Sequence, residues 1–261
     1  MIRIERIVVG VDLEGESLLP AAQLAIDQAR SIAAAAGAHV TLVHSHRRDE
    51  RWNDAARRFE SFRPPAGAEE LTPLERIAAG LRASGIPCDI VTSDDPPGHA
   101  IVVQALRERA DLAIVGKRAA PHHDERRMGS VSLNVVRHCP GLVSVVKPGA
   151  RPSPEVIVAA TDAGPVGTRV IEAAAAMARL FGSTLHVVHA IQFTMEVQME
   201  GSEAEHAFVQ ERRETLRAQV DEQVAAVGFE GKVEIHAGVT TPTRAVLEAV
   251  ERLHPDVVAM G

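Results

Sequence analysis

The segment Arg6-Ile-Val-Val-Gly-Val-Asp12 returns as Val156-Ile-Val-Ala-Ala-Thr-Asp162, an apolar run closed by an aspartate each time. Alanine-rich segments follow, Leu19 to Ala36 and Gly167 to Phe181, and each leads to a glycine suited to a helix C-terminus, Gly37 and Gly182. Ala38-His-Val-Thr-Leu-Val-His44 then matches Ser183-Thr-Leu-His-Val-Val-His189. From Gly37 onward the two copies keep one offset of 145 residues, so that Pro97 falls on Pro242, Asp111 on Asp256 and Gly116 on Gly261. An offset held over this distance means one structural unit present twice.

Each copy reads strand, helix, strand, a variable helical segment, strand, helix, strand. The variable segments are Asp49 to Ser84, where Pro64, Pro65 and Pro73 require some loop, and Gln198 to Val227, a charged helix pattern. Third strands are expected at Cys88 to Thr92 and Lys232 to Ala237, helices at Gly98 to Arg109 and Thr243 to Leu253, and fourth strands at Leu112 to Val115 and Val257 to Met260. In the first copy a helix from Ser130 to His138 leads to a fifth strand, Leu142 to Lys147. Strands alternating with helices predict an α/β fold. The expectation is two tandem doubly wound parallel sheets, Rossmann-like, with strand order 3-2-1-4-5, the second sheet lacking its last strand. The domains are placed at residues 1–148 and 155–261, joined by the linker Pro148-Gly-Ala-Arg-Pro-Ser-Pro154, and the second is read as C-terminally incomplete.

Composition narrows the function. Hydrophobic residues are 46% of the chain but aromatics only 3%, so its cores must be built from Ala, Val, Leu and Ile. A formal charge of -7 argues against nucleic acid as a partner, because phosphate backbones demand a basic face. Cys88 and Cys139 form no disulfide framework and read as reduced thiols. No apolar stretch reaches the ~18 residues that a membrane span needs, and no signal-peptide pattern opens the chain. The expectation is a soluble, cytoplasmic protein without a membrane partner.

The best candidate for chemistry is the run Asp111-Leu-Ala-Ile-Val115, then Gly116-Lys-Arg-Ala119, then nine residues, then Gly129-Ser130-Val131. A strand that ends in a small-residue loop and re-enters a helix at Gly-Ser can cradle a phosphate on free backbone N–H groups. The bland reading is that Ser130 merely starts a helix. Asp12 at the same sheet edge can accept hydrogen bonds from a ribose, or cap the following helix. Gly10 to Ser17 has a Walker A spacing, but Glu16 stands in the lysine position and would repel phosphate. His122-His123-Asp124 fits no standard metal-ligand spacing, so no metal ligand is assigned. His44 and His189 end equivalent strands and read as structural. No catalytic Ser-His-Asp or Cys-His order stands out, and no catalytic residue is named.

These residues resemble the universal stress protein family in its tandem two-domain form, whose fold is that of the adenine nucleotide alpha hydrolases. The resemblance spans essentially the whole chain. It is carried by Gly116-Lys-Arg-Ala119-x9-Gly129-Ser130 against the family's Gly-x-x-Gly-x9-Gly-Ser/Thr, supported by Asp12, the Leu-Val-His44 strand end and Val143-Ser-Val-Val-Lys147. The resemblance implies ATP or another adenine nucleotide, with Mg2+ accompanying the phosphates. It places Asp12 near the adenosine, the backbone of Ser45 on adenine, and Val115, Gly116, Ala119, Gly129, Ser130 and Val131 around ribose and phosphates. Ala119 departs from the family's glycine. Where that position requires φ > 0, alanine is penalised and its methyl crowds the phosphate. The implied role is a stress-response switch that nucleotide orders, with at most slow ATP hydrolysis. The rival is a nucleotide-independent interaction or scaffold module with a vestigial loop. An adenylating enzyme on a related fold would need a substrate pocket and catalytic groups that the sequence does not show. Exposed strand edges further predict a homo-oligomer, a dimer being simplest, and protein partners that the sequence does not name.

Overall fold

The computed structural model describes residues 2–14, 17–46, 72–117, 128–191 and 203–261. Arg3–Pro152 forms one compact unit, and Ser153–Gly261 makes up the body of another.

The first unit is built on a five-stranded parallel sheet. Its strands are β1 (Arg6–Gly10), β4 (His39–Ser45), β5 (Cys88–Ser93), β6 (Leu112–Gly116) and β7 (Leu142–Val146), in the order β5-β4-β1-β6-β7. That is the 3-2-1-4-5 order that the alternation predicts. A two-stranded antiparallel ribbon, β2 (Leu13–Glu14) and β3 (Ser17–Leu18), intervenes after β1 and was not legible in the sequence. Helices α1 (Pro20–Ala36) and α2 (Pro73–Ala83) pack on the sheet, as do α3 (Pro97–Glu108) and α4 (Ser130–His138). Val8, Val43, Ala113 and Val115 share a core with Ala100, Ile101 and Ala105 of α3 and Val135 of α4. Ile7, Val9, Leu42 and Ile114 alternate with them along the strands, so they point to the opposite face. There α1 buries Ala22, Ala25, Ala29 and Ala33, small side chains that let a helix lie close to a sheet.

Local chemistry sets the helix ends. Pro20, Pro73 and Pro97 each sit in a first turn, where a missing N–H costs nothing. Pro73 therefore starts a helix, reinforced by a reciprocal capping box between Thr72 and Glu75. The other residues of that variable segment, 47–71, lie outside the described residues.

The second unit repeats the plan with four parallel strands: β8 (Val156–Thr161), β9 (Thr184–Ile191), β10 (Val233–Val239) and β11 (Val257–Ala259), in the order β10-β9-β8-β11. Helices α5 (Pro165–Phe181) and α6 (Glu203–Val227) share a core with Ile157, Ala159, Leu185 and Val187. Helix α7 (Pro242–Leu253) covers Val158 and Val188 with Ala245 and Ala249.

The repeat extends to individual hydrogen bonds. Gly37 (φ 69°) and Gly182 (φ 68°) close α1 and α5 in the left-handed region. Asp111 Oδ2 accepts the backbone N–H groups of Glu5 and Arg6 at 2.8 and 2.9 Å, and Asp256 Oδ2 accepts those of Glu155 and Val156 at 2.8 and 3.0 Å. Both aspartates thus fasten the entry of the fourth core strand to the entry of the first.

Candidate functional site

Strand β1 lies between β4, to which the chain passes next, and β6, to which it returns later. The order of connection reverses there, and ligands of open α/β sheets bind at the carboxyl edge of such a switch point. Register brings the expected residues to that edge. Gly10 pairs with Val43 of β4, and Val9 with Ile114 of β6. Continued two or three residues, these registers set Asp12 level with Ser45 on one side and with Lys117 on the other. The strand itself ends at Gly10, two residues before Asp12.

Each placed residue has a local anchor. His44 Nδ1 donates to the carbonyl of Val11 at 3.0 Å and holds the backbone just before Asp12. His189 repeats this on the carbonyl of Thr161 at 2.9 Å, so both histidines have one structural duty. The Ser45 hydroxyl donates to the carbonyl of Asp95 at 2.5 Å. In the second unit, Asp162 Oδ1 accepts the N–H groups of Gly164 and Gly167 at 2.8 and 3.2 Å and closes the start of α5, the capping use of a strand-end aspartate.

The motif's glycines have different reasons. Val115 is buried and closes the run that feeds the loop. A Cβ on Gly116 would stand 1.9 Å from the backbone oxygen of Ala21, so the first turn of α1 requires glycine there. At Gly129, the N-cap of α4 (φ −68°, ψ 160°), no described atom lies within 4 Å of where a Cβ would be. No side chain among the described residues caps α4, so the amides of Ser130 and Val131 open its first turn without one. Ala119 and the pair His122-His123 fall within 118–127, outside the described residues. Burial pushes the Cys88 thiol up to about 11 and raises that of Cys139, which makes both poor nucleophiles.

The structure also assembles a cluster that the sequence did not announce. His186, Glu234 and His236 meet on one face of β9 and β10. The signal was the alternation Glu234-x-His236 on an expected strand, but its partner lies fifty residues earlier, and only strand register unites them.

No helix among the described residues is long and apolar enough to cross a membrane. The model of the universal stress protein family matches residues 3–147 and again 154–261. No curated protein matches the chain. Among solved structures, a universal stress protein from Archaeoglobus fulgidus superposes with a TM-score of 0.62 at 16% identity, over 97% of this chain and 85% of its own. A functionally unknown protein from Pseudomonas aeruginosa PAO1 superposes with a TM-score of 0.68 at 18% identity, over 98% and 80%. At these identities the superpositions show a shared fold, while the family match takes in both copies of the internal repeat. The chain belongs to the universal stress protein family.

Proposed function

We propose that the first unit binds an adenine nucleotide at the β1/β6 switch point and that the protein serves as a nucleotide-dependent switch of the cytoplasmic stress response. The observation that carries this is the first turn of α4, where no side chain among the described residues caps the helix and no described atom lies within 4 Å of a Cβ on Gly129. Its amides and the positive end of the helix dipole suit a phosphate. Phosphates lie on Gly129, Ser130 and Val131, with Mg2+ accompanying them. Val115, Gly116 and Ala119 line the ribose side, and Asp12 meets the ribose hydroxyls. The Ser45 hydroxyl is engaged by Asp95, so Ser45 meets adenine through its backbone. Bound nucleotide favours the loop conformation whose N–H groups it satisfies, and the population shift is the signal. No catalytic base is assigned.

One observation favours the nucleotide-independent reading. Gly116 is explained by packing against Ala21 alone, so half of the motif's glycine signal needs no ligand. Calorimetry of the full chain with ATP, ADP and AMP separates the two. One site is expected, weakened at least about tenfold by Gly129→Leu, a loss of roughly 1.4 kcal/mol of binding. Equal binding by the variant refutes this location. Heat-silent titrations of the parent chain, with equilibrium dialysis also negative, leave the interaction module.

A further inference from the structure

We propose that His186, Glu234 and His236 form a binding site for a divalent transition-metal ion, zinc in the first instance, in the second unit. Glu234 stands opposite His186, and His236 opposite Val188, in the parallel β9–β10 pair. Residues two apart on a strand share a face, so all three side chains lie on the face that Val188 contributes to the α7 core. His186 Nδ1 is 3.1 Å from His236 Nε2 and 3.4 Å from Glu234 Oε2. One ligand atom from each of the three lies within 4.8 Å of the others. A tetrahedral ion with bonds of about 2.0–2.1 Å sets neighbouring ligand atoms about 3.3 Å apart, and the two short separations straddle that value. Two imidazoles and one carboxylate are a zinc donor set that leaves a fourth position open.

Without an ion, one proton shared between His186 Nδ1 and His236 Nε2 holds the two rings together, and Lys232 holds Glu234. The carboxylate contact at 3.4 Å is already long for a charge-assisted bond. A cation between the three atoms satisfies all of them together.

The surroundings suit this role. His186 is only 6% exposed, so its ring nitrogen is held in place and shielded from competing water. Lys232 Nζ sits 2.6 Å from Glu234 Oε1, orients the carboxylate and leaves Oε2 to the ion. A cavity of about 490 Å³, lined by Glu214 and Glu248 and by Arg213, Arg217 and Arg252, reaches His236 and provides a route to it. Arg252 on the wall of that cavity carries a positive charge that opposes the ion.

The fold does not demand the cluster. The repeat offset sets Thr41, Asp89 and Val91 at the corresponding positions of the first unit, where Thr41 again pairs with Asp89. There the Thr41 hydroxyl donates to the Glu108 carboxylate at 2.9 Å, and a buried polar position is satisfied without histidine. The two histidines are an addition particular to the second unit.

The test uses the full chain, stripped by chelation and titrated with Zn2+, and with Co2+ as an absorbing stand-in. The parent chain is expected to bind with a visible Co2+ spectrum of low coordination number that Zn2+ displaces, and Zn2+ should raise the second unit's unfolding midpoint. His236→Gln and Glu234→Gln should each lose at least the roughly 10–100-fold in affinity that even an outer-shell change costs, and both should lose the spectrum. Glu234→Gln alters a partly exposed side chain without changing its size, so it should fold even if His236→Gln does not. Absence of binding by the parent chain overturns the proposal. So does unchanged affinity and spectrum in Glu234→Gln, which would place the metal on other histidines.

Discussion

Replacing Gly116 with alanine is expected to cost the first unit about 3 kcal/mol, at the upper end of the usual range for overpacking. The new methyl carbon would stand 1.9 Å from the Ala21 carbonyl oxygen and 2.4 Å from its carbon. Helix α1 must retreat by more than about 1 Å to restore ordinary contact. The neighbour is backbone at the first turn of a helix, so no rotamer change relieves it. Retreat also loosens Ala22, Ala25 and Ala29 along the same interface. Gly129→Ala is the control from the same motif. Its backbone angles are open to any residue and no described atom is near, so the cost is an N-cap exchange of under about 1 kcal/mol. For a unit of this size the Gly116 change corresponds to a fall in midpoint of about 6–12 °C. Urea and thermal unfolding of the full chain, followed by circular dichroism and calorimetry, read both. The second unit's transition serves as internal reference. Equal losses at the two glycines would refute the packing argument. Stability loss would confound Gly116 as a ligand probe, so the binding test above uses Gly129.

Three further outcomes are expected. Arg109 (φ 51°) and His254 (φ 45°) end α3 and α7 in the left-handed region, so Arg109→Gly and His254→Gly should each stabilise by roughly 0.5–1 kcal/mol in urea titrations; destabilisation by both would contradict it. Burial holds the folded-state pKa values of His186 and His236 below the unfolded value of about 6.5, so the unfolded chain binds more protons in that window and stability falls with acidification through it. Urea midpoints of metal-free protein at about pH 5 and about pH 7.5 check this, with His236→Gln reducing the difference; a second unit more stable at the lower pH would refute it. Among the described residues, strand β7 is hydrogen-bonded on one side only in its sheet, so self-association through strand edges is expected in light scattering at micromolar concentration, and a strict monomer would contradict it.

Much of the fold was legible because its causes are local. The period-2 and period-3.6 patterns, the glycines after α1 and α5, and the 145-residue offset all act between near neighbours or between copies of one unit. They were enough for a parallel sheet of order 3-2-1-4-5, and that order carries the N-terminal strand to the switch point. Asp111 was visible as part of a motif. That its carboxylate joins two strand entries became clear only with β6 beside β1, and Asp256 repeats the arrangement.

Tertiary structure decided the reasons for particular residues. Gly116 looked like a phosphate-loop glycine, and the approach of Ala21 showed that packing alone demands it. The Ser45 hydroxyl was committed to Asp95 by a contact across fifty residues of chain. His186 and His236, equally far apart in sequence, became neighbours through the β9–β10 register and through nothing local. A side chain's direction follows from its own strand, but its partners follow from which strands adjoin and at what register. Those are properties of the assembled core, set by burying both faces of each sheet at once.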